Sequence, residues 1–533
     1  MPARTTQSWS RDPLRHIRRL ATFAGTLGPY ARPAAMLALL LVVIKTAWVG
    51  DDAFITLRTV DNLLHGHGLV WNLGERVQPF THPLWLAWLT VFHAVIREPF
   101  LTFQVAGTVT TLAAFAVLLW RLTPSATNAL LAGGVLVISK YFVDFATGGL
   151  GNPLLYLLVA WYVVLWFRLR DKLDAGLPAG RPVFMLVLAF ALVVLTRLDV
   201  VLLVGPPLLV LLYRAGRCHW RAMALGIAPL VAWEIFAVVY FGFPVPNTAY
   251  AKLNTGIPLA ELVRQGFYYY QNFLGTDPLA ALVLAITLVM VFLRPGRGER
   301  AFGVGLVLYM LYIVRIGGDF MAGRFFTVPL FLAVCLLARR PTPRPRVVGV
   351  AALVLVAALF VPRNPVTCAF EYTLLRDFHG IVDERGYYYR FTGALPRLAA
   401  DHEEIGTATA GQDSRLITDQ RGPAFHVVES VGIYCYFAGP DLYGVDRFAL
   451  ADAFLARLPA NRTAYHGSWR IGHFYRDLPE GYNETVGSGK NMLQDKRLAR
   501  LYDDVQLVTT GPLFSKARWA AIWRLNTRQW GKR

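Results

Sequence analysis

The sequence predicts a polytopic α-helical membrane protein of about eleven transmembrane helices, followed by a mixed α/β domain outside the membrane. Three observations lead there. Of 533 residues, 55% are hydrophobic and only 16% charged, with a mean hydropathy of +0.42; a soluble chain of this size needs more charge to cover its surface. Apolar runs near spanning length, about 20 residues, recur at roughly 33–49, 100–120, 126–143, 153–167, 182–196, 200–213, 222–241, 278–293, 300–315, 325–338 and 347–362. Beyond Val361 such runs stop, and residues 363–533 mix charge, glycine and aromatic rings.

Each element follows from the placement of charge. Arg11, Arg15, Arg18, Arg19 and Arg32 make residues 1–32 a basic cytoplasmic leader. The run behind it has the length of an uncleaved first span rather than of a signal peptide. Pro83–Ile96 is short and carries His93, so it is expected to lie at the interface. With eleven spans, Arg121 and the basic loops 168–181, 214–221, 294–300 and 339–346 all fall on the side of the leader, as the orientation rule demands. Runs 182–196 and 200–213 are short and read as a tight hairpin tipped by Thr196-Arg197-Leu198-Asp199. The net charge of +19 therefore belongs to membrane orientation, with the lipid bilayer as partner and no nucleic acid. The four cysteines form no C-x-x-C, which disfavours a thiolate metal site. In the tail, alternation over His426–Val431 predicts a strand and the pattern of Phe448–Leu455 a helix.

In this topology the stretches rich in chemistry gather on the outer side, in a transmembrane domain over 33–362 whose first outer loop is 50–98. Asp51 and Asp52 stand where the first span emerges, and an ionisable pair there is a functional-site hypothesis; the plainer reading is a helix cap. Trp71 lies among polar residues in that loop, a mixture suited to sugar faces and hydroxyls or to an interfacial aromatic belt. A carboxylate pair beside basic groups at a lipid–water boundary suits a lipid-linked phosphate substrate. Arg324, Lys252 and Arg58 are the candidates to hold the phosphate. Asp51 is the candidate general base, its pKa raised by its acidic neighbour. His82 is a candidate site residue, whereas the spacing of His65 and His67 does not by itself make a metal site.

Asp51-Asp52-Ala53-Phe54-Ile55, Gly68-Leu69-Val70-Trp71-Asn72, Arg76-Val77 and Thr81-His82-Pro83-Leu84-Trp85 resemble the first outer loop of bacterial GT-C glycosyltransferases, above all the terminal arabinofuranosyltransferases of actinobacterial arabinan synthesis. Pro246-Asn247-Thr248-Ala249-Tyr250-Ala251-Lys252, Gly317-Gly318-Asp319-Phe320-Met321 with Gly323-Arg324-Phe325, and Trp469-Arg470 with Gly472-His473-Phe474 extend the likeness over most of the chain. The resemblance implies an enzyme in the bacterial inner (cytoplasmic) membrane, with its site and the 363–533 domain facing the periplasm. It implies a polyprenyl-phosphate-linked sugar as donor, arabinofuranose by preference, and a glycan or glycoprotein acceptor. Asp51 and Asp52 would be catalytic, and His82, Trp71, Asn247, Asp319, Trp469 and His473 would bind sugar or acceptor. No cofactor is implied beyond an optional divalent cation. Where relatives often carry Glu in the loop matched by Leu150-Gly151-Asn152-Pro153, this chain has Gly151. Two rival functions remain: a transporter or flippase of lipid-linked sugars, which would want polar groups near the midplane, and a non-catalytic glycan-binding scaffold.

Overall fold

The computed structural model describes residues 28–253, 255–296, 298–368, 376–399, 402–463 and 469–527. The basic leader before Gly28 lies outside them. The membrane part begins with α1 (Ala31–Thr46), α2 (Asp51–Leu64), α3 (Pro83–Ile96), α4 (Pro99–Val117, extended to Leu122 by a π turn), α5 (Ala126–Ile138), α6 (Lys140–Asp144) and α7 (Asn152–Asp174). It continues with α8 (Gly180–Thr196), α9 (Val201–Ala215), α10 (Trp220–Tyr240), α11 (Asn247–Leu253), α12 (Leu259–Thr276), α13 (Pro278–Leu293), α14 (Arg300–Ile316), α15 (Thr327–Ala338) and α16 (Pro345–Ala358). The tail holds α17 (Glu384–Thr392), α18 (Gly406–Arg421), β1 (Ala424–Val428), α19 (Val431–Phe437), β2 (Leu442–Asp446), α20 (Tyr482–Ser488), α21 (Lys496–Thr510) and α22 (Lys516–Thr527).

Every apolar run read from the sequence contains a helix. Proline opens several of them, as at Pro83, Pro99, Pro278 and Pro345, where its missing N–H costs nothing. Ser125 and Asp277 accept from the N–H groups of Asn128 and Ala280 at 3.2 and 3.1 Å, closing the first turns of α5 and α13. Among the described residues, five helices are long and apolar enough to cross a membrane alone: Gly28–Thr46, Pro99–Leu122, Asn152–Asp174, Leu198–Ala215 and Arg217–Tyr240. α12 and α13 add a sixth only as a pair bent by 109°. α3, α5, α8, Arg324–Ala338 and α16 are shorter apolar helices. The 182–213 hairpin forms as expected, and Arg197 at its tip grips Asp199 at 2.6 Å.

In the tail, the strand expected over His426–Val431 forms as β1, Ala424–Val428. β1 and β2 pair in parallel, Ala424 opposite Leu442, as a two-stranded sheet. Phe448–Leu455 is not a helix. It is a loop folded around two carboxylates: Asp446 accepts from the N–H groups of Phe448 and Ala451 at 2.8 and 2.9 Å, and Asp452 from those of Phe454 and Leu455 at 3.0 and 2.8 Å. Local side-chain acceptors outcompete the helical ladder there.

The tail does not close its own core. Ile55, Trp71 and Val77, in the segment between α1 and α3, are buried in one cluster with Val431, Cys435, Leu442, Val445 and Phe454. Trp71 is wholly buried, and truncating such a residue costs about 3–5 kcal/mol. Arg58 locks the same joint, donating to the carbonyls of Trp71 at 2.9 Å, of Leu442 at 2.7 Å and of Cys435. Three sequence expectations fall here. Arg58 does not face a phosphate and Trp71 does not face a sugar, because burying the joint claims both side chains. Asn247 is claimed in the same way, its Nδ2 donating to the carbonyls of Ala449, Leu450 and Asp452 at 3.0–3.1 Å.

A second joint is ionic. Lys140 meets Asp144 at 2.5 Å and Asp383 at 3.1 Å, and Arg385 meets Asp144 at 2.6 Å, all four side chains being buried. These pairs fix the start of α17 on α6, and removing one member strands a buried charge at about 3–5 kcal/mol.

Candidate active site

The segment Ala47–Gly50 breaks the helix between α1 and α2, and its backbone is satisfied from two sides. Gly50 N donates to Gly148 O at 3.4 Å, Ala394 N to Ala47 O at 3.1 Å, and Val49 N to the Thr392 hydroxyl at 3.0 Å. α2 then starts at Asp51 with Asp51 and Asp52 in its first turn, where negative charge favours the helix. The cap reading stops there. Asp51 accepts hydrogen bonds from the N–H groups of Gly432 (3.0 Å) and Ile433 (2.8 Å), at the N-terminus of α19 in the tail. It thus caps a helix nearly four hundred residues away. Gly432 permits the approach: a Cβ there would stand 1.8 Å from the Asp51 carbonyl oxygen.

Asp52 turns the other way. His473 Nε2 lies 3.1 Å from its Oδ1, and the His473 ring is wedged edge-on between Phe320 and Phe448. The loop Gly317–Arg324 is clamped by the tail on both edges. Phe320 N donates to Ile471 O at 3.0 Å, and Ala322 N to Val382 O at 2.9 Å. Gly323 has φ +68°, and a Cβ there would overlap the Tyr141 ring at 2.1 Å. This clamp delivers Asp319 and Arg324 to the cleft, joined at 2.5 Å. Lys252, from α11, stands beside them: the Cβ of a residue at 472 would lie 3.2 Å from Asp319 and 3.7 Å from Lys252 Nζ. His82, at the mouth of α3, bonds the Thr56 hydroxyl at 2.9 Å.

The charges divide the cleft into two ends. Burial raises the Asp51 carboxyl from 3.8 to about 6, with Asp52 adding to the rise. Burial raises Glu384 from 4.5 to about 8, with Asp52 and Asp51 adding to it. Burial acts on Asp52 in the same sense, yet His473, Lys252 and Arg324 outweigh it and hold that carboxyl well below the usual range. At the other end burial, then Arg324 and Arg197, push His82 down to about 3. Burial, then Arg324, lowers the Lys252 ammonium. His473 falls to about 4, mainly by burial, so its imidazole is neutral and donates its Nε2 hydrogen to the ionised Asp52. The cationic end is a field that an anion would relieve, and the carboxyl end offers three acids with separated strengths.

A small cavity of about 10 Å³, room for roughly one water molecule, separates Asp51, Asp52, Glu384, Tyr388, Arg470 and His473. Glu384 and Arg470 were not singled out from the sequence; Arg470 reaches the cleft over the Phe320 ring at 4.6 Å. Trp469 does not line it. Its Nε1 donates to Glu261 at 2.8 Å and its ring packs on Phe474, so it anchors the loop that carries Arg470 and His473. Among the described residues, no group of three His, Cys, Asp or Glu side chains is placed to hold a metal ion. His65 bonds the Asp61 carbonyl in an exposed turn.

With this geometry in place, comparison with solved structures becomes informative. The crystal structure of ArnT from Cupriavidus metallidurans bound to undecaprenyl phosphate superposes with a TM-score of 0.53, covering 81% of this chain and 88% of that one at 15% identity. The two share a fold. In sequence, the chain is 34% identical over 418 residues to the terminal β-(1→2)-arabinofuranosyltransferase of Mycobacterium tuberculosis, covering 67% of this chain and 64% of the relative. It is 32% identical over 465 residues to the protein of that name from Corynebacterium glutamicum, covering 76% and 66%. The aligned region thus spans just under two thirds of each relative. No protein-family model matches the chain.

Proposed function

We propose that the protein is a membrane glycosyltransferase that moves a sugar, arabinofuranose by preference, from a polyprenyl-phosphate donor to a glycan or glycoprotein acceptor outside the cytoplasm. The observation that carries this reading is the nearness of two cations, Lys252 and Arg324, whose charge is felt at Asp52, to three carboxyls of separated strength. Environments that drive neighbouring acids apart assign them roles. Asp51, at about 6, suits proton uptake near neutrality. Asp52 is too acidic to serve and instead orients His473. Glu384, at about 8, stays protonated and donates to a sugar oxygen. In the transfer, the acceptor oxygen bonds to the anomeric carbon as that carbon's bond to the phosphate oxygen breaks. The hydroxyl proton passes to Asp51, and the polyprenyl phosphate leaves with the electron pair, its charge met by Lys252 and Arg324. A single displacement of this kind inverts the anomeric carbon.

The test is direct transfer: the purified full chain with a polyprenylphosphoryl arabinofuranose and an arabinan oligosaccharide, read by mass spectrometry. One added pentose is the expected product. Movement of the donor across a vesicle without any product would favour the flippase instead.

The reading also places the site and tail on the periplasmic face of the inner membrane. His67, exposed in the turn after α2, supplies the check. His67→Cys should react with an impermeant thiol reagent on intact cells, while the exposed native Cys218 should react only after lysis. The reverse pattern would invert the topology.

A further inference from the structure

At the end of the helical bundle away from the candidate site, four arginines converge on one pocket. α4 sets the distance: Phe100, near its start, packs on Phe54 beside the acidic pair at 5.2 Å between rings, and Arg121, 21 residues later, lies roughly 30 Å along the axis. The pocket holds about 510 Å³ and is lined by Arg121, Arg170, Arg339 and Arg340 with Phe167 and Glu299. Neutralisation is incomplete. Arg340 pairs with Glu299 at 2.6 Å, and Arg170 holds Asp171 at 2.6 Å. Arg339 stands 3.9 Å from the same Asp171 and rests on the Phe167 ring at 4.0 Å. Arg121 is exposed and engages no acceptor among the described residues.

Arg340 also donates to the Arg294 carbonyl at 2.7 Å and so closes the end of α13, but Arg121, Arg170 and Arg339 serve no helix end among the described residues. Arg32 donates to the carbonyl of Leu119 at 2.8 Å and to that of Thr123 at 3.3 Å, and Asn128 to those of Ala338 and Arg340 at 3.1 and 2.9 Å. The orphan carbonyls of α4 and α15 are served by other side chains, leaving the guanidinium surplus facing the cavity. Trp120, beside Arg121, is 51% exposed, the position of an aromatic ring at a membrane interface.

We propose that this pocket binds the phosphate groups of an anionic membrane phospholipid. Planar guanidinium forks match phosphate oxygens two at a time, and basic pockets between spanning helices suit doubly charged headgroups. Orientation charge alone would place arginines in water, not around a shared cavity with an aromatic wall. Free pyrophosphate offers the same oxygens without an acyl tail, and the experiment separates the two.

The full chain, purified in neutral detergent, is titrated with cardiolipin, with phosphatidylcholine and with inorganic pyrophosphate, following Tm and lipid retention by native mass spectrometry. Cardiolipin should raise Tm and remain bound. Arg121→Gln with Arg339→Gln should weaken it by roughly tenfold or more. Arg346→Gln, outside the pocket, should leave it unchanged. Should the double variant not fold, Arg121→Gln alone reads the same loss, since Arg121 bonds nothing among the described residues. Equal retention by the pocket variant, or an equal response to phosphatidylcholine, would overturn the proposal. A shift with pyrophosphate and none with cardiolipin would overturn the lipid assignment.

Discussion

Replacing Asp51 with asparagine should lower transfer from a polyprenyl-phosphate sugar by about 10²- to 10⁴-fold, the range a lost general base commands. The side-chain volume is unchanged, and Lys252 and Arg324 are untouched, so donor binding should persist. One structural cost accompanies the change. Asp51 accepts from two backbone N–H groups, those of Gly432 and Ile433, and the amide of asparagine turns a donor toward one of them. A buried N–H left unpaired costs about 1–3 kcal/mol, which loosens the tail without touching chemistry. The pH profile separates the two effects. Activity in the native chain should rise as pH passes about 6, where Asp51 loses its proton, and fall as it passes about 8, where Glu384 loses its own. Asparagine should abolish the acidic limb; a merely looser tail would keep both limbs at reduced height. Near-normal turnover would remove Asp51 from the mechanism. Stability should run against activity on the acidic limb and fall with it on the basic limb. Both carboxyls are raised in the fold, so their contribution is complete below the ordinary carboxyl range and is lost as pH climbs through about 6 and about 8.

Arg324→Gln should weaken donor binding by roughly tenfold to a hundredfold, the equivalent of one charge-assisted hydrogen bond of about 1.5–3 kcal/mol. kcat should fall as well, because the leaving phosphate gathers charge as its bond to the sugar breaks. The substitution also strips Asp319 of its 2.5 Å partner. Arg324→Lys is therefore the companion variant: it keeps the charge beside Asp319 and loses the fork, and its donor affinity should fall between the other two. Donor affinity unchanged in both variants, by displacement of a labelled polyprenyl phosphate, would take Arg324 out of the phosphate site.

The sequence made the membrane part legible because hydropathy is a local property. The hairpin tipped by Arg197 and Asp199 followed from charge and run length. Asp51, Asp52, His82, Lys252, Asp319, Arg324 and His473 were legible as chemistry placed at helix mouths; the fold sets Asp52 against His473 and within the charge of Lys252 and Arg324. Arg58, Trp71 and Asn247 have the same composition cues, yet the joint between the α1–α3 segment and the tail consumes them. That joint is a long-range contact, invisible to any window of sequence. Glu384 and Arg470 were missed for the same reason. Each sits in an unpatterned polar stretch and gains its setting only when α17 and the 469–473 loop fold back over α2. Hydropathy marks apolar runs but not helix length: among the described residues five helices reach spanning length, the bent α12–α13 pair makes a sixth, and five further apolar helices are shorter.

A void the size of one water molecule is too small for a furanose ring. The roof over the acidic pair is made of tail segments: Gly432 and Ile433 bond Asp51, and His473 bonds Asp52. Any sugar reaching the Asp51 carboxylate must first lift them. Turnover would then be paced by the opening and reclosing of this roof, and a cross-link from α2 to α19 would silence the protein with every reactive group still in place.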